Sequence, residues 1–261
     1  MSVTGLPGQG PVRAGIPIAD LSTGLLLANA ILIAIIERQT SGQGQWIETS
    51  LLASQIFMLD LQAVRYLIDK EVPEQAGNDH PTTIPTGTFR TADGHINLAA
   101  SEQSAFRRLC KLLKLDELID HPDYSTIRKR SENRQKLNEQ LNKVFLTEIS
   151  SYWVEKLNEV GIACGPINRI DQMFADPQVQ QLQLTREIEN PRLGPINLLG
   201  QPISMSRSQW SIRRRAPGYA EHSREILGEL DYDLNQINDL ICRHVVDVST
   251  SSCSPSSPSS S

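Results

Sequence analysis

Cysteine is scarce and scattered in this sequence: four among 261 residues, at Cys110, Cys164, Cys242 and Cys253. None forms a C-x-x-C pair and none stands at zinc-ligand spacing from a histidine, so no metal site is expected. Cys110 and Cys164 lie in apolar runs and read as core thiols, which points to a reducing, intracellular setting. Positive charge is not in excess either. The formal net charge is -5, which argues against a nucleic-acid partner. The one basic run, Arg213-Arg214-Arg215, is short enough to be a solvated loop. After Met1 there is no basic stretch and no apolar signal core, so no secretory leader is predicted. The longest apolar run, Leu21 to Ile36, is interrupted by Ser22, Thr23 and Asn29. It is short for a bilayer span and is expected to be a buried helix, with no membrane partner. No internal repeat is present. Gly42-Gln43-Gly44 follows a helix and precedes a strand, the reverse of a phosphate cradle, and Gly5 to Gly10 lacks the Lys-Ser/Thr of a nucleotide loop. There is no G-x-S-x-G elbow.

What is present has an α/β rhythm. A Gly/Pro-rich lead-in over 1–18 gives way to a helix that starts near Asp20 to Thr23 and stops at Ser41-Gly42. Its apolar residues run nearly all round, so it should be covered on most sides. Alternation over Gln45 to Thr49 predicts a short strand, and Leu51 to Ile68 a second long amphipathic helix. Residues 71–87, with Pro73, Pro81 and Pro85, read as a linker or domain crossing. Thr88 to Arg90, the turn Asp93-Gly94 and Ile96 to Ala99 predict a β-hairpin. Helices follow near 102–114, 131–146 and 150–160, together forming a small α+β domain. Beyond Gly161 come an apolar segment to Ile167, a short helix near 169–175, and a further turn opened by Asp176-Pro177. Strands separated by Gly194 and Gly200 fill 184–205, and helices are expected near 220–229 and 233–241. The Ser/Pro tail over 247–261 has nothing to bury and is expected to be disordered.

Asp20 is the residue with the most chemical interest. At the mouth of an apolar helix its carboxylate suits an N-cap, and spacing alone favours that role. The same position suits a nucleophile or base, because a helix N-terminus favours an anion and apolar walls leave it poorly solvated. His80, inside Asn78-Asp79-His80-Pro81, sits among turn formers and by default is a loop histidine.

Eight segments in order resemble one family. Gly15 to Gly24 (GIPIADLSTG) is similar to the segment that holds the catalytic aspartate of class III coenzyme A transferases, the carnitine–CoA and formyl-CoA transferase-like group. Arg38 to Gln45 (RQTSGQGQ) resembles that family's helix-ending segment, and Ser50 to Gln55 the helix start after it. Gly77 to Pro81, Phe89 to Ile96, Gly161 to Ile167, Phe174 to Val179 and Glu221 to Ser223 continue the match to about residue 246.

The resemblance implies an α/β fold. Residues 1–70 would be the C-terminal part of a Rossmann-like large domain, 71–170 a small α+β domain, and 171–246 a return to the large domain. The family fold is an interlocked dimer, so a homodimer is expected. Asp20 becomes the nucleophile. Asn78, His80, Thr82 and Thr83 lie in the loop that covers the site. The substrates are an acyl-CoA and a small carboxylic acid, with coenzyme A exchanged between acids and no permanently bound cofactor. Met1 corresponds to the middle of a family member, so the half with most CoA contacts is expected to lie outside this chain. The chain alone is then expected to be inactive and poorly soluble. Two other readings remain open: an α-methylacyl-CoA racemase of the same superfamily, and a non-catalytic product. The expected location is intracellular and soluble, cytoplasmic, or mitochondrial in a eukaryote.

Overall fold

The computed structural model describes residues 1–249, so the expected disordered tail and Cys253 lie outside the described residues. The chain divides into two compact units, Met1–Ile167 and Asn168 onward.

In the first unit, the lead-in is stapled to the linker. Gly77 N–H donates to the Gly5 carbonyl at 3.0 Å, and the Gln75 amide donates to the carbonyls of Thr4 and Gly10. The first helix, α1 (Ile18–Ser41), ends where Gly42 takes a left-handed conformation at φ 73° and donates its N–H to the Arg38 carbonyl. The expected burial of α1 is not met: Ser22 is its one buried residue. Leu25 is 68% exposed, and Ile33 and Ile36 are each 65% exposed. At 24 residues with mean hydropathy 2.0, α1 is also long and apolar enough to cross a membrane. Length alone therefore does not exclude a span, contrary to expectation.

Two further local expectations are corrected. Residues 45–49 are extended but pair with nothing among the described residues, and Trp46 is 89% exposed. Alternation makes a strand only where a neighbouring strand completes the ladder. The single helix expected over 51–68 is two, α2 (Leu51–Phe57) and α3 (Leu61–Asp69), bent by 77°. Asp60 breaks them with φ 43°, and no Pro or Gly advertises the break.

The hairpin forms as predicted. β1 (Thr86–Arg90) pairs antiparallel with β2 (His95–Ala99), and β2 pairs with β3 (Ala163–Pro166). Phe89, Ile96 and Leu98 alternate onto the buried face. Against it pack α4 (Gln103–Leu113), α5 (Ile127–Glu132), α6 (Arg134–Phe145) and α7 (Ser150–Glu159). In α4, Phe106, Leu109, Cys110 and Leu113 are buried at helical spacing. Phe89, Phe145 and Trp153 stack in sequence with centroids 5.2 Å apart at each step. The contiguous core runs from Ile84 to Ile162.

The second unit holds short helices α8 (Ile170–Ala175) and α9 (Pro177–Gln181), a hairpin of β4 (Thr185–Asn190) and β5 (Gly194–Leu199), then α10 (Ser223–Glu229) and α11 (Leu234–Cys242). Asp176 caps α9, and Asp233 with Gln236 caps α11. The whole is a mixed α/β structure.

Candidate active site

Asp20 occupies the first turn of α1, but not its cap. Pro17 holds the cap position without a side-chain bond, and the helix begins at Ile18. The capping role favoured by spacing is therefore overturned. Ser22 and Thr23 turn their hydroxyls back to the Ala19 carbonyl, at 3.2 and 2.7 Å. The Asp20 side chain is exposed and has no hydrogen bond or ion pair among the described residues. It is an uncommitted carboxylate beside the unsatisfied N–H groups that open a long helix, where an anion is favoured. The apolar walls expected around it are not supplied by its neighbours, since Ile16 and Leu21 are themselves exposed.

The loop over 77–85 is held tightly. His80 N–H donates to the Thr86 carbonyl at 2.8 Å, and Thr88 N–H to the Asn78 carbonyl at 3.1 Å. Gly87 makes that approach possible: at φ 155° a Cβ there would lie 2.5 Å from the Asn78 carbonyl oxygen. The His80 ring folds back over the loop, and its Nδ1 accepts the N–H groups of Thr82 and Thr83 at 3.2 and 3.1 Å.

Three side chains from the helices behind clamp the loop. Arg130 donates to the Ile84 carbonyl at 2.9 Å, and Arg134 to the Pro81 carbonyl at 2.6 Å. Asn138 donates to both oxygens of Asp79, at 3.1 and 3.0 Å. Arg130 is fully buried. It also reaches the Tyr124 and Ser101 carbonyls and Gln103, and it lies 4.4 Å over the Phe106 ring. Burial pushes the Asp79 carboxyl above its ordinary range, against the opposing pull of Arg134 and Asn138.

Of the loop residues named from sequence, Asn78 and His80 line one shallow concavity of about 680 Å³, with Thr86, Thr88 and Asn97. Thr82 and Thr83 are not on its wall and contribute backbone donors to His80 instead. Asp20 is not on it, and no hydrogen bond or ion pair joins Asp20 to the loop among the described residues. Sequence reading missed Asp79, Arg130, Arg134 and Asn138. The four-residue spacing of the last three was the available signal, since it puts them along one side of helical sequence.

Elsewhere, burial pushes the Cys110 thiol up to about 12 and the Cys164 thiol up to about 11, so neither is a ready nucleophile. In the basic run, Arg214 pairs with Glu225 at 3.1 Å and Arg215 pairs with Glu221, leaving little charge for a phosphate. Among the described residues, no group of three or more His, Cys, Asp or Glu could hold a metal.

Comparison with known proteins gives this geometry its context. The chain is 36% identical over 248 residues to the succinyl-CoA:glutarate CoA-transferase of Homo sapiens, covering 95% of this chain and 57% of that protein. It is 34% identical over 231 residues to the succinate–glutarate CoA-transferase of Agrobacterium fabrum, covering 88% of this chain and 58% of that protein. The chain thus spans rather more than half the length of these relatives. The crystal structure of a CAIB/BAIF family protein from Brucella suis superposes with a TM-score of 0.71 at 32% identity, over 88% of this chain and 60% of that one. The family model described as CoA-transferase family III matches residues 1–223, and the chain belongs to that family.

Proposed function

We propose that this chain carries the nucleophile of an enzyme that moves coenzyme A from an acyl-CoA of the succinyl type to a small dicarboxylic acid such as glutarate. The observation that carries the reading is Asp20: an exposed, unpartnered carboxylate in the first turn of α1. It lies inside the segment matched by the family model. The names of the relatives support the dicarboxylate class, and they support transfer over racemisation.

In this reading the Asp20 carboxylate attacks the thioester carbonyl, the C–S bond breaks, and CoA thiolate leaves an acyl–aspartyl anhydride. The thiolate then attacks the aspartyl carbonyl and releases the donor acid as its carboxylate, leaving an aspartyl–CoA thioester. The acceptor carboxylate attacks that thioester, giving a second anhydride and thiolate. Attack of the thiolate on the acceptor's acyl carbon forms the product and frees Asp20. Each step exchanges one leaving group for another, so no oxidant or metal enters the balance, and CoA serves as substrate. Exclusion of water would protect both anhydrides from hydrolysis.

Residues 1–70 and 171–246 would belong to a Rossmann-like large domain and 71–170 to a small α+β domain, in an interlocked homodimer. A core drawn from Ile84 to Ile162 supports the independence of the small domain. The test is Asp20→Asn, assayed for succinyl-CoA to glutarate transfer. An amide cannot form the anhydride, so turnover should fall at least about a thousandfold, the scale of losing a covalent nucleophile. The circular-dichroism melt should stay unchanged, because Asp20 has no partner to lose. Retention of more than about a tenth of the rate would remove Asp20 from the mechanism.

A further inference from the structure

The ring of His80 has its proton placed for it. A nitrogen that accepts amide protons offers a lone pair and carries no proton itself. Nδ1 accepts from two backbone groups, Thr82 N–H at 3.2 Å and Thr83 N–H at 3.1 Å. The Thr82 hydroxyl also stands 3.5 Å away. The opposite tautomer would set an Nδ1–H against two N–H donors, so the neutral ring holds its proton on Nε2. That Nε2–H has no partner among the described residues. The ring is half-buried and lies on the wall of the concavity beside Asn78, Thr86 and Asn97. Its loop is anchored from behind by Arg134 at Pro81 and by Asn138 at Asp79. The result is a rigid hydrogen-bond donor directed away from its own loop.

An oxygen bound there is not the one undergoing reaction. The reacting carbonyl must meet Asp20, and nothing in the described residues joins Asp20 to this loop. A dicarboxylic acid carries a second carboxylate several bonds from the first, which suits a site with two separated ends. We propose that His80 is a specificity-determining residue that donates its Nε2–H to the non-reacting carboxylate of the dicarboxylic substrate. This deepens the proposed function and rests on its dicarboxylate reading.

The test uses the whole chain and the variant His80→Asn. An asparagine Oδ1 lies as many bonds from Cα as His Nδ1, so it can accept from Thr82 and Thr83 and preserve the turn. What it lacks is the Nε2–H. The readout is the ratio of kcat/KM for glutarate to that for pentanoate, a monocarboxylate of equal length, with succinyl-CoA as donor. Loss of a charge-assisted hydrogen bond should lower that ratio by about 10- to 100-fold. An unchanged ratio, even with both rates reduced, would make His80 a loop-building residue and overturn the proposal. A second measurement does not need turnover. In long-range ¹H–¹⁵N spectra, the His80 ring of the wild-type chain should show Nε2 protonated and Nδ1 not. Glutarate, and not pentanoate, should shift the Nε2–H resonance. An Nδ1–H tautomer, or no response to glutarate, overturns the proposal. A chain that shows the glutarate shift without transferring CoA would refute the proposed activity and leave the His80 assignment standing.

Discussion

At the scale of single residues, the roles of carboxylates here depend on what meets them, and sequence does not display that. Asp20 lacks a partner, while Asp79 has two bonds from Asn138 and a nearby Arg134 but is half-buried. Burial dominates, so the folded state holds the Asp79 proton to a higher pH than the unfolded chain, whose ordinary value is 3.8. Between those two values the folded form binds more protons than the unfolded form. Stability contributed at this site therefore falls as pH rises through that window. Asp79→Asn keeps an acceptor for Asn138 and cannot ionise. Its urea midpoint should exceed that of the wild type near neutral pH, and the gain should shrink to nothing as pH falls below 3.8. A variant less stable than wild type at every pH would show that the Arg134 and Asn138 contacts outweigh burial.

At the scale of elements, Asp93 shows how a turn residue can cap a distant helix. The N-cap position of α7, Ile149, offers no side-chain acceptor. Asp93, in the β1–β2 turn, accepts instead from Ser150 N–H and the Ser150 hydroxyl, each at 2.8 Å, and from Thr91 at 3.1 Å. Those donors, Ser150 N–H first, hold the Asp93 carboxyl below its ordinary value. Its contribution is therefore complete above about 3.8 and is lost as pH falls through the lower folded value. Asp93→Ala should lower the melting temperature at neutral pH, and the gap to wild type should close in strong acid. An equal gap at pH 7 and at the acid limit would point to backbone strain in the turn. The sequence announced Asp93-Gly94 as a turn but could not announce its partner 57 residues away. That contrast holds along the chain. The hairpin, the Gly42 stop and the caps at Asp176 and Asp233 were legible because each closes on near neighbours. The bend at Asp60 carries no Pro or Gly. The extended run at 45–49 alternates correctly but has no partner strand, and the clamp from Arg130, Arg134 and Asn138 closes over roughly fifty residues. For the candidate site, the loop and Asp20 were located from motif resemblance. The freedom of Asp20 and the tautomer of His80 needed coordinates.

At the scale of the molecule, apolar surface is distributed unevenly. The core between Ile84 and Ile162 is dry, with twelve side chains nearly inaccessible across the chain, Arg130 among them. Residues 16–72 present the opposite: Leu25, Leu32, Ile33, Ile36, Leu52, Phe57, Leu67 and Ile68 are each more than half exposed. Burying one such side chain is worth roughly 1.5–3 kcal/mol. Covering several of them would rival a typical folding stability of about 5–15 kcal/mol. A continuous face of this kind drives association unless something covers it. The 261-residue chain is therefore expected to bind an apolar dye strongly and to sediment as concentration-dependent oligomers. Replacing Ile33 and Ile36, each 65% exposed, by Lys should reduce both effects. Neither residue belongs to the core, so the melting transition of that core should move by no more than a surface change allows, about 0.5 kcal/mol each. If the double variant instead unfolds the core, these side chains are packed in solution and the exposed face is not a property of the chain. If the wild-type chain sediments as a monomer at all concentrations and binds no dye, the surface is covered from within, and the expectation of association fails.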